Sequence, residues 1–123
     1  MSQASRISRD FGSVTSNKLS LTKTNITQTT SITSGVTLTT QAGSITTVGA
    51  TNATGASTQF TVTDLSVNAN SLILADIMNY AGSTGFPAVY VDDVTTGSFK
   101  VIVHNHSEAA PLNGALKISY LIL

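Results

Sequence analysis

Apolar residues alternate with threonine and serine along much of the chain, and this period of two restricts the fold more than any other feature. In residues 59–63 (QFTVT), for example, Phe60 and Val62 alternate with polar side chains. Successive side chains of a β-strand point to opposite faces, so the pattern is typical of a strand with one buried face. No stretch combines a 3.6-residue period with helix caps. The sequence therefore predicts an all-β protein.

The alternation recurs in about eight short segments, at roughly the 8–12-residue spacing that is typical of sandwiches and barrels. Clusters rich in Gly, Asn and Ser separate them, including residues 51–57, residues 80–86 and the predicted tight turn Asn113-Gly114. The sequence predicts a single β-sandwich, jelly-roll-like, of short antiparallel strands. Residues 72–78 are almost continuously apolar, which favours a buried strand over a turn of helix.

The last strand is predicted over residues 115–123, with four residues on one face: Leu116, Ile118, Tyr120 and Ile122. The segment 121–123 (LIL) would expose apolar surface if nothing covered it. We therefore expect this strand to be central in a sheet or covered by a neighbouring subunit. The predicted subunit interface consists of Tyr120, Leu121, Ile122 and Leu123.

Charge is scarce, and this indicates the kind of partner. Only 10% of the residues are charged, and six basic residues balance six acidic ones. A chain with zero net charge has little electrostatic protection against association, which favours burial in an assembly. The balance argues against a nucleic-acid partner, which a basic surface would attract. No apolar run approaches the length of a membrane span, and no signal peptide is expected.

The first 25 residues are predicted to form an extended arm that precedes a sandwich of residues 26–123. Four basic residues and one acidic residue give residues 1–23 a net charge of about +3. A solvated, unstructured terminus is the alternative interpretation. If the arm binds a partner, the residues expected to make contact are Arg6, Ile7, Arg9, Phe11, Lys18, Leu19, Leu21 and Lys23.

The sequence contains no pattern that indicates catalysis or a cofactor. There is no cysteine, nucleophile motif or phosphate-binding glycine motif. His104 and His106 share one face of a predicted strand, but a metal site needs a third ligand, so none is predicted. Asp92 and Asp93 are interpreted as residues of a solvated turn. We expect no catalytic, metal or cofactor-binding residue and no enzymatic activity.

An aromatic loop gives an alternative function. Tyr80, Phe86 and Tyr90 flank or occupy the glycine-rich segment near residues 80–90. Aromatic rings at the rim of a sandwich can stack against a sugar, although packing in the core or an interface is the simpler interpretation.

Three segments resemble small virion proteins of tailed bacteriophages, notably phages of cyanobacteria and other aquatic bacteria. They are residues 30–38 (TSITSGVTL), residues 97–103 (GSFKVIV) followed by Asn105, and residues 112–121 (LNGALKISYL). Together they span about residues 26–123. The resemblance implies a capsid decoration (cement) protein, a homotrimer on the outer surface of the virion that contacts the major capsid protein and is made in the host cytoplasm. A tail-fibre or receptor-binding, sugar-binding domain is the alternative.

Overall fold

The computed structural model describes residues 20–123, which form eight strands in two four-stranded sheets. No helix occurs within this range, so the predictions of an all-β fold and of a sandwich are confirmed. The strands are β1 (Lys23–Thr27), β2 (Val36–Thr37), β3 (Ala42–Thr46), β4 (Ser57–Thr63), β5 (Ile73–Tyr80), β6 (Pro87–Thr95), β7 (Ser98–Asn105) and β8 (Leu116–Ile122).

The strand order is β1-β3-β8-β5 in sheet A and β2-β4-β7-β6 in sheet B. The final strand β8 is central, between β3 and β5, as the sequence predicts. Four pairings are antiparallel, but β1 pairs with β3 and β2 pairs with β4 in parallel, so the expectation of purely antiparallel strands is corrected. Parallel neighbours are not part of an antiparallel Greek key, and the jelly-roll arrangement is not confirmed.

The sandwich begins earlier than the sequence predicts, because β1 starts at Lys23 rather than after residue 25. The Thr24 hydroxyl lies 2.8 Å from the Thr40 hydroxyl and 3.4 Å from the Tyr120 hydroxyl. Gly43 makes this close approach possible, since a Cβ there would overlap the Thr24 carbonyl oxygen. Its φ of 151° also lies in the range that favours glycine.

The core lies between the sheets and contains the inward residues of every alternating strand. In β8, the buried positions are Leu116, Ile118, Tyr120 and Ile122, the four residues that the sequence predicts on one face. The buried Asn105 side chain joins three loops: its Oδ1 accepts from the backbone of Phe86 and Ser107, and its Nδ2 donates to the carbonyls of Asn52, Ala53 and Ala110. Such a network satisfies backbone groups that would otherwise be buried without partners.

The predicted tight turn at Asn113-Gly114 is wrong. The chain crosses from sheet B to sheet A here instead of forming a hairpin, and Gly114 makes an isolated bridge with Ala50. Asn113 organises the neighbouring loop, because its Oδ1 accepts hydrogen bonds from the backbone of Ser83 and Thr84.

The sandwich has two distinct ends. At the first end, β4 finishes at Thr63, β5 begins at Ile73 and β8 finishes at Ile122. At the second end, β4 begins at Ser57 and β7 finishes at Asn105, and these two strands pair side by side. The two candidate surfaces described next lie at different ends and on different sheets.

Candidate interaction surfaces

Four leucines form a compact apolar cluster on the outer face of sheet A, at the first end. Leu74 pairs with Leu121 across β5 and β8. One step nearer the end, Leu72 and Leu123 exchange two backbone hydrogen bonds of 3.0 and 2.9 Å. Because residues two apart on a strand share a face, these four side chains adjoin one another. We call Leu72, Leu74, Leu121 and Leu123 the leucine patch.

The leucine patch is open to solvent in the described chain. Leu72 is 56% exposed, Leu74 is 51% exposed and Leu123 is 60% exposed, while Leu121 is half-buried. A scattered exposed leucine needs no explanation, but a contiguous cluster on a sheet face marks an interaction surface. The geometry of the patch is therefore suited to burial against another protein.

The alternation within β5 explains why the patch is exposed. Ile73, Ala75 and Ile77 point inward and pack against the core. The alternate positions must then point outward, and these are Leu72, directly before the strand, and Leu74 within it. The sequence prediction of a strand is correct, but the prediction that residues 72–78 are buried applies only to the inward face. The nearly continuous apolar run, which only Asp76 interrupts, was the signal that both faces of β5 carry apolar side chains.

A groove of about 690 Å³ adjoins the patch between β1 and β5. Small residues line it, including Ala42, Ser44 and Ser119. Longer side chains line it as well: Leu21, Lys23, Met78, Lys117 and Leu121. Among residues 20–123, the one ion pair joins Lys100 to Asp93 (3.0 Å). Within this range, Lys23 and Lys117 of the groove therefore form no ion pair.

The predicted arm contacts fall partly outside the described residues: Arg6, Ile7, Arg9, Phe11, Lys18 and Leu19. Leu21 and Lys23 are described, and they belong to the sandwich. Lys23 opens β1, and both residues line the groove on the outer face of sheet A.

The predicted subunit interface divides into two sets. Tyr120 and Ile122 are buried in the chain's own core, so the inclusion of these two in a subunit interface is corrected. Leu121 and Leu123 point outward, because they occupy the alternate positions of the same strand. Leu72 and Leu74 join them, although the sequence analysis did not identify them as interface residues.

The second surface is a group of aromatic and imidazole rings on the outer face of sheet B, at the second end. The Tyr90 hydroxyl lies 2.6 Å from His106 Nε2, and the Ser57 hydroxyl lies 2.6 Å from His104 Nδ1. The two imidazole rings meet edge to face with centroids 4.5 Å apart, and the Tyr90 and His106 rings are 6.2 Å apart at 81°. We call Ser57, Tyr90, His104 and His106 the aromatic cluster.

The three predicted sugar-contact residues occupy different environments. Phe86 and Tyr90 are 67% and 47% exposed. Phe86 adjoins the cluster, since its carbonyl accepts a 2.8 Å hydrogen bond from the His106 N–H. Tyr80 is tied into its own loop, where its hydroxyl donates to the Thr84 carbonyl (2.6 Å) and accepts from the Asn113 N–H (2.8 Å).

The aromatic cluster lacks the partners that two familiar chemistries require. Within residues 20–123, no carboxylate hydrogen-bonds to His104, so Ser57 and His104 form a pair without the third member of a triad. The same range contains no group of three His, Cys, Asp or Glu side chains that could hold a metal ion. No helix in the described range is long and apolar enough to cross a membrane.

The geometry thus defines a leucine patch with an adjoining groove at one end and an aromatic cluster at the other. No protein-family model, curated protein or solved structure matches the chain.

Proposed function

We propose that the chain is a structural protein of a bacteriophage virion that decorates the assembled head, acts as a homotrimer and has no enzymatic activity. The observation that carries this proposal is the leucine patch, an apolar surface on the outside of an otherwise threonine-rich sandwich. Its partners are further copies of the chain and the major capsid protein, on the outer surface of the virion.

The low charge supports association as the working state of the protein. The whole chain has zero net charge, so copies do not repel one another strongly. β5 is an edge strand of sheet A. The exposed Leu74 lies on this strand, and the exposed Leu72 directly precedes it. A neighbouring copy on this edge would bury them, which makes the patch the natural contact between subunits.

The groove on the outer face of sheet A supports a second contact, with the shell. Lys23 and Lys117 lie beside apolar side chains in it, so a shell segment with acidic and apolar residues would fit. Residues 1–19 join the described chain at Ser20, directly before Leu21 in this groove. The basic residues of this arm, Arg6, Arg9 and Lys18, would meet the same acidic shell surface.

The stabilising mechanism is linkage rather than chemistry. A protein that binds only the assembled, expanded shell lowers the free energy of that state by the free energy of binding. At a free concentration of one hundred times Kd, each site contributes about 2.7 kcal/mol. Many equivalent sites on one head multiply the effect without any covalent step.

Co-sedimentation with phage heads tests the proposal. Heads purified from a phage that lacks this coding sequence are mixed with the full chain or with residues 20–123, and then pelleted. We expect the full chain to pellet with heads. The truncated chain, whose fold is verified by circular dichroism, keeps the groove but lacks the arm, so much less of it is expected to pellet.

Each outcome has a separate meaning. Normal decoration by residues 20–123 would show that the arm is not the shell contact. Binding of the full chain to purified tails, and not to heads, would favour the alternative of a tail-fibre domain. A full chain that binds neither part of the particle would refute a role in the virion.

A further inference from the structure

We propose that the aromatic cluster and the cleft beside it form a binding site for an uncharged saccharide. The site lies on sheet B at the second end of the sandwich, away from the leucine patch. It therefore adds a ligand-binding activity to the proposed role in the virion and does not depend on that role.

Tyr90 provides a fixed aromatic surface. It lies on β6 opposite Ile102 of β7, and its hydroxyl bond to His106 holds the ring in one position. The ring is 47% exposed despite this bond. The C–H groups of a sugar ring pack against such an aromatic face, and a ring already held in place loses little conformational entropy on binding. Phe86, next to His106, extends the apolar surface.

The cleft beside these rings supplies polar groups for sugar hydroxyls. Its volume is about 380 Å³, within the range of small-molecule sites. The residues that line it are Thr54, Gly55, His104, Asn105, His106, Ser107 and Glu108. Glu108 is exposed and accepts hydrogen bonds only, while hydroxyl side chains both donate and accept. A saccharide, whose hydroxyls also donate and accept, matches this mixture.

Each imidazole keeps one nitrogen for a ligand. Ser57 occupies Nδ1 of His104, and Tyr90 occupies Nε2 of His106. Within the described residues, the other nitrogen of each ring makes no hydrogen bond. The hydroxyl bonds fix the orientation of both rings, so these free nitrogens are presented in defined directions.

The charges around the cluster favour an uncharged sugar over a nucleic acid, which aromatic side chains also bind. A nucleic acid needs basic residues for its phosphates. Among residues 20–123, those that line the cleft include no lysine or arginine, and the charged side chain there is the carboxylate of Glu108. Lys100, the basic residue on this face of β7, is paired with Asp93. A phosphate backbone would meet net negative charge here, whereas a neutral sugar would not.

A glycan array tests the site directly. The full chain, fluorescently labelled, is applied to an array of bacterial capsule, O-antigen and peptidoglycan glycans, with single-stranded DNA spots included. We expect selective binding to a set of neutral glycans and none to DNA. Isothermal titration with the best glycan then compares variants. Tyr90→Ala should weaken binding about tenfold or more, as for a central aromatic contact.

Two further variants separate a binding role from a structural one. Tyr90→Phe keeps the ring but loses the hydroxyl bond to His106, so it should bind more weakly than the wild type and more tightly than Tyr90→Ala. Glu108→Gln should weaken binding with an unchanged melting temperature. Thr61→Ala, on the same sheet face near the first end, is the matched control and should bind like the wild type. An array without selective binding overturns the proposal, as does glycan binding that is the same in Tyr90→Ala, or binding to DNA alone.

Discussion

Replacement of Leu72 and Leu74 by serine tests the role of the leucine patch in self-association. Complete burial of a leucine is worth about 1.5–3 kcal/mol, and roughly half of each side chain is still exposed (56% and 51%). A neighbouring copy that covers both therefore gains about 2 kcal/mol from these two residues. The double substitution should weaken each contact between two copies by a corresponding factor of roughly thirty.

Sedimentation velocity over a range of protein concentrations measures this change. The wild type should shift from monomer to trimer as concentration rises. A closed trimer has three such contacts, so the variant loses about 6 kcal/mol in the formation of one trimer. Because the midpoint concentration varies as the inverse square root of the trimerisation constant, the variant should need roughly 160-fold more protein for the same shift. The variant also loses part of its intramolecular packing, so circular dichroism must show that it is folded at the temperature used. Ile102→Ser is the matched control, since Ile102 is half-buried on the outer face of sheet B. This control should associate like the wild type.

Two results would refute the reasoning. A wild-type chain that sediments as a monomer at every concentration would show that the patch is not a contact between copies. Equal weakening by Ile102→Ser and by the double substitution would show that the effect comes from general destabilisation and not from loss of the patch.

The remaining predictions concern stability and are measured by urea unfolding. Gly43→Ala should lower the free energy of unfolding by about 3 kcal/mol, because the new Cβ overlaps the Thr24 carbonyl and the backbone φ disfavours other residues. Its control is Gly49→Ala, where no described atom lies within 4 Å, and this variant should unfold with nearly the free energy of the wild type. Equal losses in the two variants would contradict the prediction. Asn105→Ala should lower the free energy of unfolding by about 3 kcal/mol or more, because it leaves several buried backbone groups unpaired. Asn70→Ala, at an exposed position, is its control. A urea midpoint like that of the wild type in both variants would show that the Asn105 network is dispensable.

The local sequence pattern was sufficient to identify a strand wherever the chain itself buries one face of that strand. The alternation of Phe60 with Val62, and that of the four residues on one face of β8 with their polar neighbours, identified the strands and the residues that share a face, because side-chain direction follows directly from a period of two. The pattern did not give strand partners. That β1 pairs in parallel with β3 depends on the path of the chain between the sheets, which short-range alternation does not encode.

The candidate sites show the same division. From the sequence alone it followed that the chain is all-β and low in charge and that its last residues are apolar. Leu121 and Leu123 were identified from it as interface residues. Only the tertiary structure decided that Tyr120 and Ile122 belong to the core, and that Leu72 and Leu74 lie beside the exposed pair across a strand boundary. It also placed Tyr90 of β6 beside His106, which directly follows β7. The physical reason is that sequence fixes which side of a strand a residue faces, whereas pairing between distant strands decides which residues share a surface.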